Sequence, residues 1–178
     1  GVKHVRVEGD GFAVGLGPWR LGDPVTGERD GFDALVHLDD LDPFSALTVD
    51  VGNPHTVVAL PQAVDLDAVD LTSSPAVRPE PPHGTNVEIV RPMGPGHGAM
   101  REHERGVGET RSCGTGACAA AIATSFWAGS LDTGSTWLVD VPGGRLTVRL
   151  LTDQGVELAG PAALVADEFA VGENSHIK

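Results

Sequence analysis

The side chain best suited to chemistry is a cysteine in a glycine-rich turn. Cys113 lies in residues 112–118 (Ser-Cys-Gly-Thr-Gly-Ala-Cys), directly before a run of small apolar residues. We expect that run to form a helix, so that Cys113 lies where the helix begins. Backbone N–H groups and the positive end of a helix stabilise a thiolate, and can lower a thiol pKa from about 8.5 toward neutrality. Cys113 is therefore a candidate base, and the N–H groups from Gly114 to Ala117 are a candidate carboxylate site.

A structural interpretation competes for both cysteines. A glycine-rich turn before a small-residue helix also serves close packing, and free cysteines are often buried hydrophobes. Cys118 falls inside the predicted helix, and we expect it to be structural. For Cys113 the residue types leave the two interpretations balanced, and the neighbouring Glu104-Arg105 pair favours a functional role.

Metal and phosphate sites agree poorly with the spacing. Two cysteines and seven histidines would in principle suffice for zinc. However, the two cysteines have no second Cys pair, and the histidines are scattered rather than grouped at ligand intervals. The glycine-rich run also lacks the Lys-Ser/Thr ending of a P-loop. We expect no metal site.

Two other polar groups lie at the ends of predicted strands. One is the Asn53-Pro54-His55 group and the other is residues 85–88 (Thr-Asn-Val-Glu), with Asn86. Asn before Pro favours a turn, and a lone histidine is more often structural than catalytic. From residue types alone neither group is assigned a function.

Alternating apolar and polar residues predict mainly β-structure. We expect a loop at residues 17–31, a short helix at 64–71, a connection at 73–84 and a hairpin turn at 142–144 (Pro-Gly-Gly). The predicted strands cover residues 3–8, 12–16, 34–38, 47–51, 56–60, 86–91, 99–104, 136–141, 145–151 and 156–158.

One long helix is predicted, from residue 115 or 116 through 128, closed by Gly129. Its residues are small and apolar on nearly every face, which is typical of a buried helix. Strands before and after a single enclosed helix give an α+β fold.

Composition narrows the function classes. The chain has 178 residues, 40% of them hydrophobic, with 24 Gly and 13 Pro, which is typical of a globular domain rich in turns. A net charge of -13 disfavours binding to nucleic acid and to anionic membranes. We find neither a run of about 20 apolar residues nor a secretory leader, so we expect a cytoplasmic protein with reduced thiols. A first residue other than Met favours a processed product or one piece of a larger polypeptide.

Four motifs together resemble diaminopimelate epimerase in type and order. They are residues 51–55 (Val-Gly-Asn-Pro-His), 85–88 (Thr-Asn-Val-Glu), 104–110 (Glu-Arg-Gly-Val-Gly-Glu-Thr) and 113–119 (Cys-Gly-Thr-Gly-Ala-Cys-Ala). The turn at 142–144 resembles that family too, and the resemblance extends over residues 4–165. Actinobacterial members are the most similar, notably through Arg111-Ser112-Cys113.

The resemblance implies both a fold and a reaction. Members of this family have two lobes, each a curled mixed β-sheet wrapped around one central helix, with the substrate between the two helix N-termini. They interconvert LL- and meso-diaminopimelate, a step toward lysine and peptidoglycan precursors. One cysteine thiolate removes the α-proton and a second cysteine thiol delivers a proton to the opposite face, so no cofactor is expected.

The resemblance assigns the reacting end of the substrate to four residues. Cys113 matches the cysteine of the second lobe. Glu104 matches the residue that accepts its proton or holds the substrate ammonium. Gly114 and Thr115 match the backbone anion site.

Four further residues match positions that act elsewhere in the family's site. Asn53, Asn86 and Arg105 match residues that hold the distal, non-reacting end of the substrate, and Arg105 suits bidentate pairing with a carboxylate. His55 matches the histidine that assists the opposite cysteine.

This sequence departs from the family by lacking any counterpart of the first lobe and its cysteine. We expect residues 1–165 to be the C-terminal lobe and 166–178 a tail that either crosses toward the absent lobe or is disordered. We also expect the 178 residues alone to bind substrate poorly and not to epimerise it. Activity would then require a first lobe, in cis or as a separate chain, docked on an exposed apolar face. The resemblance leaves room for a homodimer.

Two alternatives stay open at this point. The chain is either a related isomerase of the same fold, of the phenazine-biosynthesis or proline-racemase type, or a non-catalytic binding or regulatory module. The first lacks this combination of motifs, and the second would follow from loss of one catalytic lobe.

Overall fold

The computed structural model describes residues 2–38, 41–131 and 134–162, which form one mixed β-sheet and two α-helices. The helices are α1 (Pro24–Asp30) and α2 (Gly114–Trp127), and residues Leu66–Ala68 form a single 3-10 turn. The thirteen strands of the described residues are β1 (Val5–Glu8), β2 (Gly11–Pro18), β3 (Arg20–Leu21), β4 (Ala34–His37), β5 (Phe44–Asp50), β6 (Pro54–Ala59), β7 (Ala76–Arg78), β8 (Asn86–Gly94), β9 (His97–Glu104), β10 (Gly108–Thr110), β11 (Thr136–Val141), β12 (Gly144–Leu150) and β13 (Gly155–Pro161).

The sheet is mainly antiparallel and is not closed into a barrel. Its order is β1-β2-β13-β12-β11-β9-β8-β6-β5-β4-β7, with β10 added beside β9 and β3 added beside β5. Two pairs are parallel, namely β6 with β8 and β9 with β11. Each parallel pair needs a crossover connection, and the crossover between β9 and β11 contains α2.

Helix α2 is the centre of the main hydrophobic core. It is buried from Gly116 to Ser125 and packs against β5, β6, β8, β9, β11, β12 and β13, so the sheet curls around it. Its small side chains let strands approach on every side. At its end, the N–H of Gly129 donates to Phe126 O (3.0 Å) and the N–H of Ser130 to Ser125 O (2.8 Å), with Gly129 in the left-handed region. The prediction of an α+β fold with one buried central helix is confirmed.

A second apolar cluster lies on the opposite face of β5, β6 and β8. It is formed by residues of these strands, of β4 and β7, and of the segment after β6, including Leu60, Leu66 and Leu71. In β8, Val87 and Ile89 face this cluster while Val90 faces α2. The middle strands are therefore covered on both faces, which explains why they read as nearly continuous apolar runs.

Residues 17–31 were wrongly predicted to be a loop. They contain β3 and the short helix α1, in which the Asp23 side chain accepts the N–H of Thr26 and Pro24 occupies the first turn. Gly31 ends this helix at φ 80°. The cap residues were present in the sequence, but α1 is only seven residues long and has no apolar periodicity.

Three other expectations needed correction. The helix expected at 64–71 is limited to the 3-10 turn, and the connection at 73–84 contains β7. Strand β10 was not predicted, because its Gly-Glu-Thr sequence has no strand pattern and pairing with β9 alone defines it. The tail at 166–178 lies outside the described residues.

Within the described ranges, no helix has the length and apolar character that crossing a membrane would require.

Candidate active site

Cys113 is the N-cap residue of α2, as the sequence predicted. Its Sγ accepts the backbone N–H of Gly116 (3.4 Å) and lies 3.3 Å from Thr115 Oγ1. The thiol is half-buried, whereas Cys118 is fully buried within the helix. The first N–H groups of a helix have no acceptor within the helix. Gly114 and Thr115 therefore offer backbone donors beside the thiol.

Close packing holds the turn that carries Cys113. The β11–β12 hairpin turns at Pro142-Gly143, and the N–H of Gly143 donates to Arg111 O (2.7 Å). A Cβ at Gly143 would lie 3.0 Å from that same oxygen. A Cβ at Gly114 would lie 2.5 Å from Leu158 Cδ2 on β13. These two glycines let the hairpin and β13 press against the turn and fix the position of the thiol.

The inner face of β8 and β9 changes from apolar to acidic as it approaches the start of α2. Val90 and Met100 form a cross-strand pair that packs in the core, and the next pair along is Glu88 with Glu102. Glu104 continues the same face of β9. Because side chains alternate across a strand, three carboxyl groups point toward the beginning of the buried helix.

Thr110 bridges the two carboxyl groups of β9. Its Oγ1 lies 2.6 Å from Glu104 Oε1 and 3.2 Å from Glu102 Oε1. An oxygen of Glu102, an oxygen of Glu104 and the sulfur of Cys113 all lie within 4.8 Å of one another. The expected neighbourhood of Cys113 and Glu104 is thus present.

Gly116 provides the space in which two of these carboxyl groups fit. A Cβ on Gly116 would lie 2.4 Å from Glu102 Oε2 and 3.0 Å from Glu88 Oε1. The Glu88 and Glu102 side chains are almost completely buried, at 0% and 1% exposure. A glycine is therefore required at position 116, because the Glu88 and Glu102 carboxyl groups approach the helix backbone closely.

His55 is also completely buried, with both ring nitrogens in contact with polar atoms. Nδ1 lies 2.6 Å from Glu88 Oε1 and 3.5 Å from Asn86 Nδ2, and Nε2 lies 3.1 Å from Asn53 Oδ1. These contacts fix the ring between the Glu88 carboxyl group and the Asn53 amide. The structure thus brings Asn86 next to Asn53 and His55, which lie about 30 residues earlier in the sequence.

Arg105 is connected to this group through its backbone. Its N–H donates to Asn86 Oδ1 (2.9 Å), and its guanidinium Nη1 donates to His83 O (2.6 Å). The side chain is exposed. Arg105 is thus at the edge of the polar group, with its guanidinium directed at a carbonyl oxygen.

The expectation that helix α2 lowers the pKa of Cys113 is wrong for this arrangement. Burial raises the pKa of Cys113, and the carboxyl groups of Glu102 and Glu104 add to the increase, while Thr115 and the Gly116 N–H oppose it. Desolvation and like charge therefore outweigh the helix end. Burial also raises the pKa of Cys118, so both residues are thiols near neutral pH.

Two glutamates have raised pKa values. Burial raises the pKa of Glu102 to about 8, with a further contribution from the nearby Glu88. Burial raises the pKa of Glu88 as well, although His55 opposes the increase. A group of carboxyl groups with shifted pKa values around a nucleophilic side chain is typical of functional sites.

The donor set of Glu102, Glu104 and Cys113 is compact enough to raise the question of a cation. A metal ligand has to be deprotonated. Burial favours the protonated forms of Glu102 and Cys113. A cation bound here would have to displace a proton from both groups.

The two cysteines should differ sharply in chemical reactivity. We expect iodoacetamide to modify Cys113 in the native chain at a rate at least roughly 100-fold higher than that of Cys118. Labelling of Cys118 is slow because it requires local opening of the core. Peptide mass mapping measures both rates, and labelling in urea is the control in which both react. Equal native rates would contradict the burial of Cys118.

Solved structures with the same fold are racemases, epimerases and related proteins. A probable proline racemase from Agrobacterium radiobacter K84 matches 91% of this chain and 55% of its own at a TM-score of 0.59, with 14% identity. A PhzF-family phenazine biosynthesis protein from Bacillus anthracis matches 89% of this chain and 61% of its own at 0.54, with 15% identity. At these identities the likeness establishes the fold alone. The chain therefore has the fold that these proteins share.

Sequence comparison narrows this class. The family profile for diaminopimelate epimerase matches residues 47–165. A diaminopimelate epimerase of Streptomyces coelicolor is 43% identical over 179 residues, covering 94% of this chain and 56% of the relative. That of Thermobifida fusca is 40% identical over 169 residues, with the same two coverages. The chain belongs to the diaminopimelate epimerase family, and it spans about half the length of the curated relatives it matches.

Sequence reasoning missed the roles of Glu88, Glu102, Thr110 and Gly116 in building the site. The available signal was the alternation of β9, in which Met100, Glu102 and Glu104 share a face. Once Met100 is taken as a core residue, period-two alternation predicts that both glutamates point inward.

Proposed function

We propose that this chain is the Cys113-bearing half of a cofactor-independent epimerase that interconverts LL- and meso-diaminopimelate in the cytoplasm. The observation that carries the proposal is the position of Cys113, at the start of the buried helix and within 4.8 Å of a carboxyl oxygen of Glu104, in a chain of this family. Residues 1–165 are proposed to be the C-terminal lobe.

The reacting carboxylate of the amino acid is proposed to bind at the N-terminus of α2. Backbone N–H groups of Gly114 and Thr115 would donate to it, and the helix end favours its charge. Donors directed at that carboxylate also stabilise the negative charge that develops when the α-proton leaves. Glu104 would balance the substrate ammonium on the other side.

Cys113 is proposed to exchange a proton with the α-carbon on one face. In one direction the Cys113 thiol delivers its proton and becomes a thiolate. In the other direction the thiolate takes the α-proton, so the resting thiol must first lose its own proton. Glu104, which has a carboxyl oxygen within 4.8 Å of Cys113 Sγ, is the proposed acceptor. The raised pKa of Cys113 suits the thiol form that starts the first direction.

The base for the opposite face has to come from outside these residues. The only other cysteine is Cys118, and its complete burial separates it from any substrate. We therefore propose that a first lobe, in the same polypeptide or in another chain, supplies the second cysteine. The 178 residues alone would then be inactive.

The distal end of diaminopimelate is proposed to lie near Asn53, Asn86 and Arg105. Asn86 and His55 are linked to the acidic group through Glu88. A distal carboxylate would replace the carbonyl oxygen that Arg105 now contacts, a charge-assisted exchange. His55 would reach the opposite cysteine only through Asn53, because its own ring is completely buried.

An exposed apolar patch on β1 and β2 supports docking of another lobe. Val5 and Val7 are 60% and 74% exposed, and Phe12 lies directly opposite Val7 and is 36% exposed. Apolar side chains grouped on an end strand of a sheet are typical of a surface that is covered in an assembly.

Joining the two halves tests the proposed function. The part of the Streptomyces coelicolor relative that this chain does not match is placed ahead of the 178 residues in one polypeptide. We expect the fusion to exchange the α-hydrogen of diaminopimelate with D2O at least about 100-fold faster than the 178 residues alone, measured by NMR.

The matched control is the same fusion with the first half's own cysteine replaced by alanine, which should fall back toward the rate of the single chain. Equal exchange rates for the fusion and the 178 residues would contradict the proposal and favour a non-catalytic binding module.

A further inference from the structure

The Thr110 hydroxyl lies between two carboxyl groups, and this geometry indicates which of the two carries a proton. Its Oγ1 is 2.6 Å from Glu104 Oε1 and 3.2 Å from Glu102 Oε1. A hydroxyl has one proton to donate. It can therefore satisfy one carboxylate, and the second carboxyl group must itself donate to the hydroxyl oxygen. The shorter contact is typical of an O–H group bonded to a carboxylate, which favours Glu104 as the acceptor of the hydroxyl proton and Glu102 as the donor.

Burial and charge around Glu102 lead to the same arrangement. The ionisable groups near it are Glu88 on β8, Glu104 on its own strand, Cys113 at the start of α2, and His55 on β6 behind Glu88. Glu88 Oε1 lies 2.6 Å from His55 Nδ1, whereas Glu102 contacts no basic side chain among the described residues. Two buried carboxylates in one site cannot both ionise without a large cost. Glu102 is the one that takes the proton.

The buried oxygen atoms agree with this placement. Oε2 of Glu102 and Oε2 of Glu88 are both buried without a hydrogen-bond partner among the described residues. An unpaired buried oxygen is costly when it belongs to a charged group and much less so in a neutral acid. The neutral form of Glu102 thus lowers the free-energy cost of burying Glu88 and Glu102 side by side.

We propose that Glu102 is a positioning residue that stays protonated at neutral pH, donates through Thr110 to Glu104, and thereby orients that carboxylate beside Cys113. Ionisation of Glu102 would remove the proton that it donates to Thr110 and add a second negative charge beside the thiol. This rests on the proposed function in one respect, that Cys113 is the group exchanging a proton with the substrate.

The raised pKa of Glu102, to about 8, sets the range in which the effect should appear. Below about pH 7 the residue is neutral, and a neutral glutamine should replace it with little consequence for the thiol. Above about pH 9 the glutamate is charged and the glutamine is not. The charge next to Cys113 then disfavours the thiolate in the native sequence alone.

The test compares Glu102→Gln with the unchanged chain by iodoacetamide labelling of Cys113 across about pH 6.5 to 9.5. We expect the ratio of the two rate constants to rise from about 1 near pH 7 to about 10 near pH 9, with a midpoint close to 8. Glu109→Gln is the matched control, because it removes the same charge from the neighbouring exposed residue and should leave the ratio at about 1.

A ratio for Glu102→Gln that does not change with pH would overturn the proposal. The unchanged chain gives a second reading by infrared spectroscopy, as a protonated carboxyl band that disappears around pH 8 and is absent from Glu102→Gln. Should that variant fail to fold, Thr110→Val removes the hydrogen bonds to Glu102 and Glu104 without altering charge. It must then shift the pH midpoint at which the carboxyl band disappears. An unmoved midpoint would also overturn the proposal. None of these measurements requires epimerase activity. They can therefore be interpreted even if the fusion protein shows no activity.

Discussion

Replacing Cys113 with alanine in the two-lobe fusion is expected to lower kcat for epimerisation by about 1,000-fold or more. General acid and base groups contribute roughly 100- to 10,000-fold to such reactions. We expect no nearby group to replace the thiol, because the Glu104 carboxyl group, which lies beside the sulfur, is already hydrogen-bonded to Thr110. The measurement is the rate of meso-diaminopimelate formation at saturating substrate.

Cys118→Ala is the matched control for this substitution. Removing a fully buried thiol should lower the free energy of unfolding by about 1 kcal/mol and leave kcat within about threefold. If Cys118→Ala lost activity to the same extent as Cys113→Ala in folded protein, Cys113 would have no special role.

Gly116→Ala should destabilise the chain by about 2 kcal/mol, although glycine to alanine within a helix normally stabilises by about 1 kcal/mol. The new methyl group would lie 2.4 Å from Glu102 Oε2 and 3.0 Å from Glu88 Oε1. Both side chains are buried, so they have little space in which to move. Urea unfolding of the 178-residue chain measures the change.

The control for Gly116→Ala is Gly15→Ala on β2. A Cβ at Gly15 would meet nothing within 4 Å, and its φ is not in the left-handed region. We expect that substitution to be neutral or slightly stabilising. A stabilising effect at Gly116 would show that the carboxyl groups do not occupy the space next to α2.

The overall fold was accessible from sequence because its main signal is local. The run from Ala117 to Ala123 has no polar face, so it must be buried, and strands on either side must cover it. The order of the strands in the sheet was not accessible. The parallel pairings of β6 with β8 and of β9 with β11 depend on long-range contacts that no local pattern encodes.

The candidate site was only partly accessible, for a different physical reason. Cys113 and Glu104 stand out by type and by the family resemblance. Glu102 was overlooked, because a glutamate in a strand is normally assigned to the solvent face. The alternation of β9 from Met100 indicates its inward direction, and the structure adds that Gly116 leaves room for it.

The pKa of Cys113 was predicted with the wrong sign for a related reason. A helix N-terminus lowers a thiol pKa, and that contribution can be read from sequence. Burial and the charges of Glu102 and Glu104 act in the opposite direction, and they are set by tertiary packing. The balance therefore required the structure.

The most direct test of a Cys113 proton step follows deuterium in the fusion protein. LL-diaminopimelate is supplied in D2O, and substrate and product are recovered at low conversion for NMR and mass analysis. With one thiol on each face of the α-carbon, the meso product should carry deuterium at the inverted carbon while the remaining LL substrate does not. Cys113→Ala should remove this labelling. Equal deuterium in recovered substrate and product, or labelling that continues at an unchanged rate in Cys113→Ala, would contradict the account.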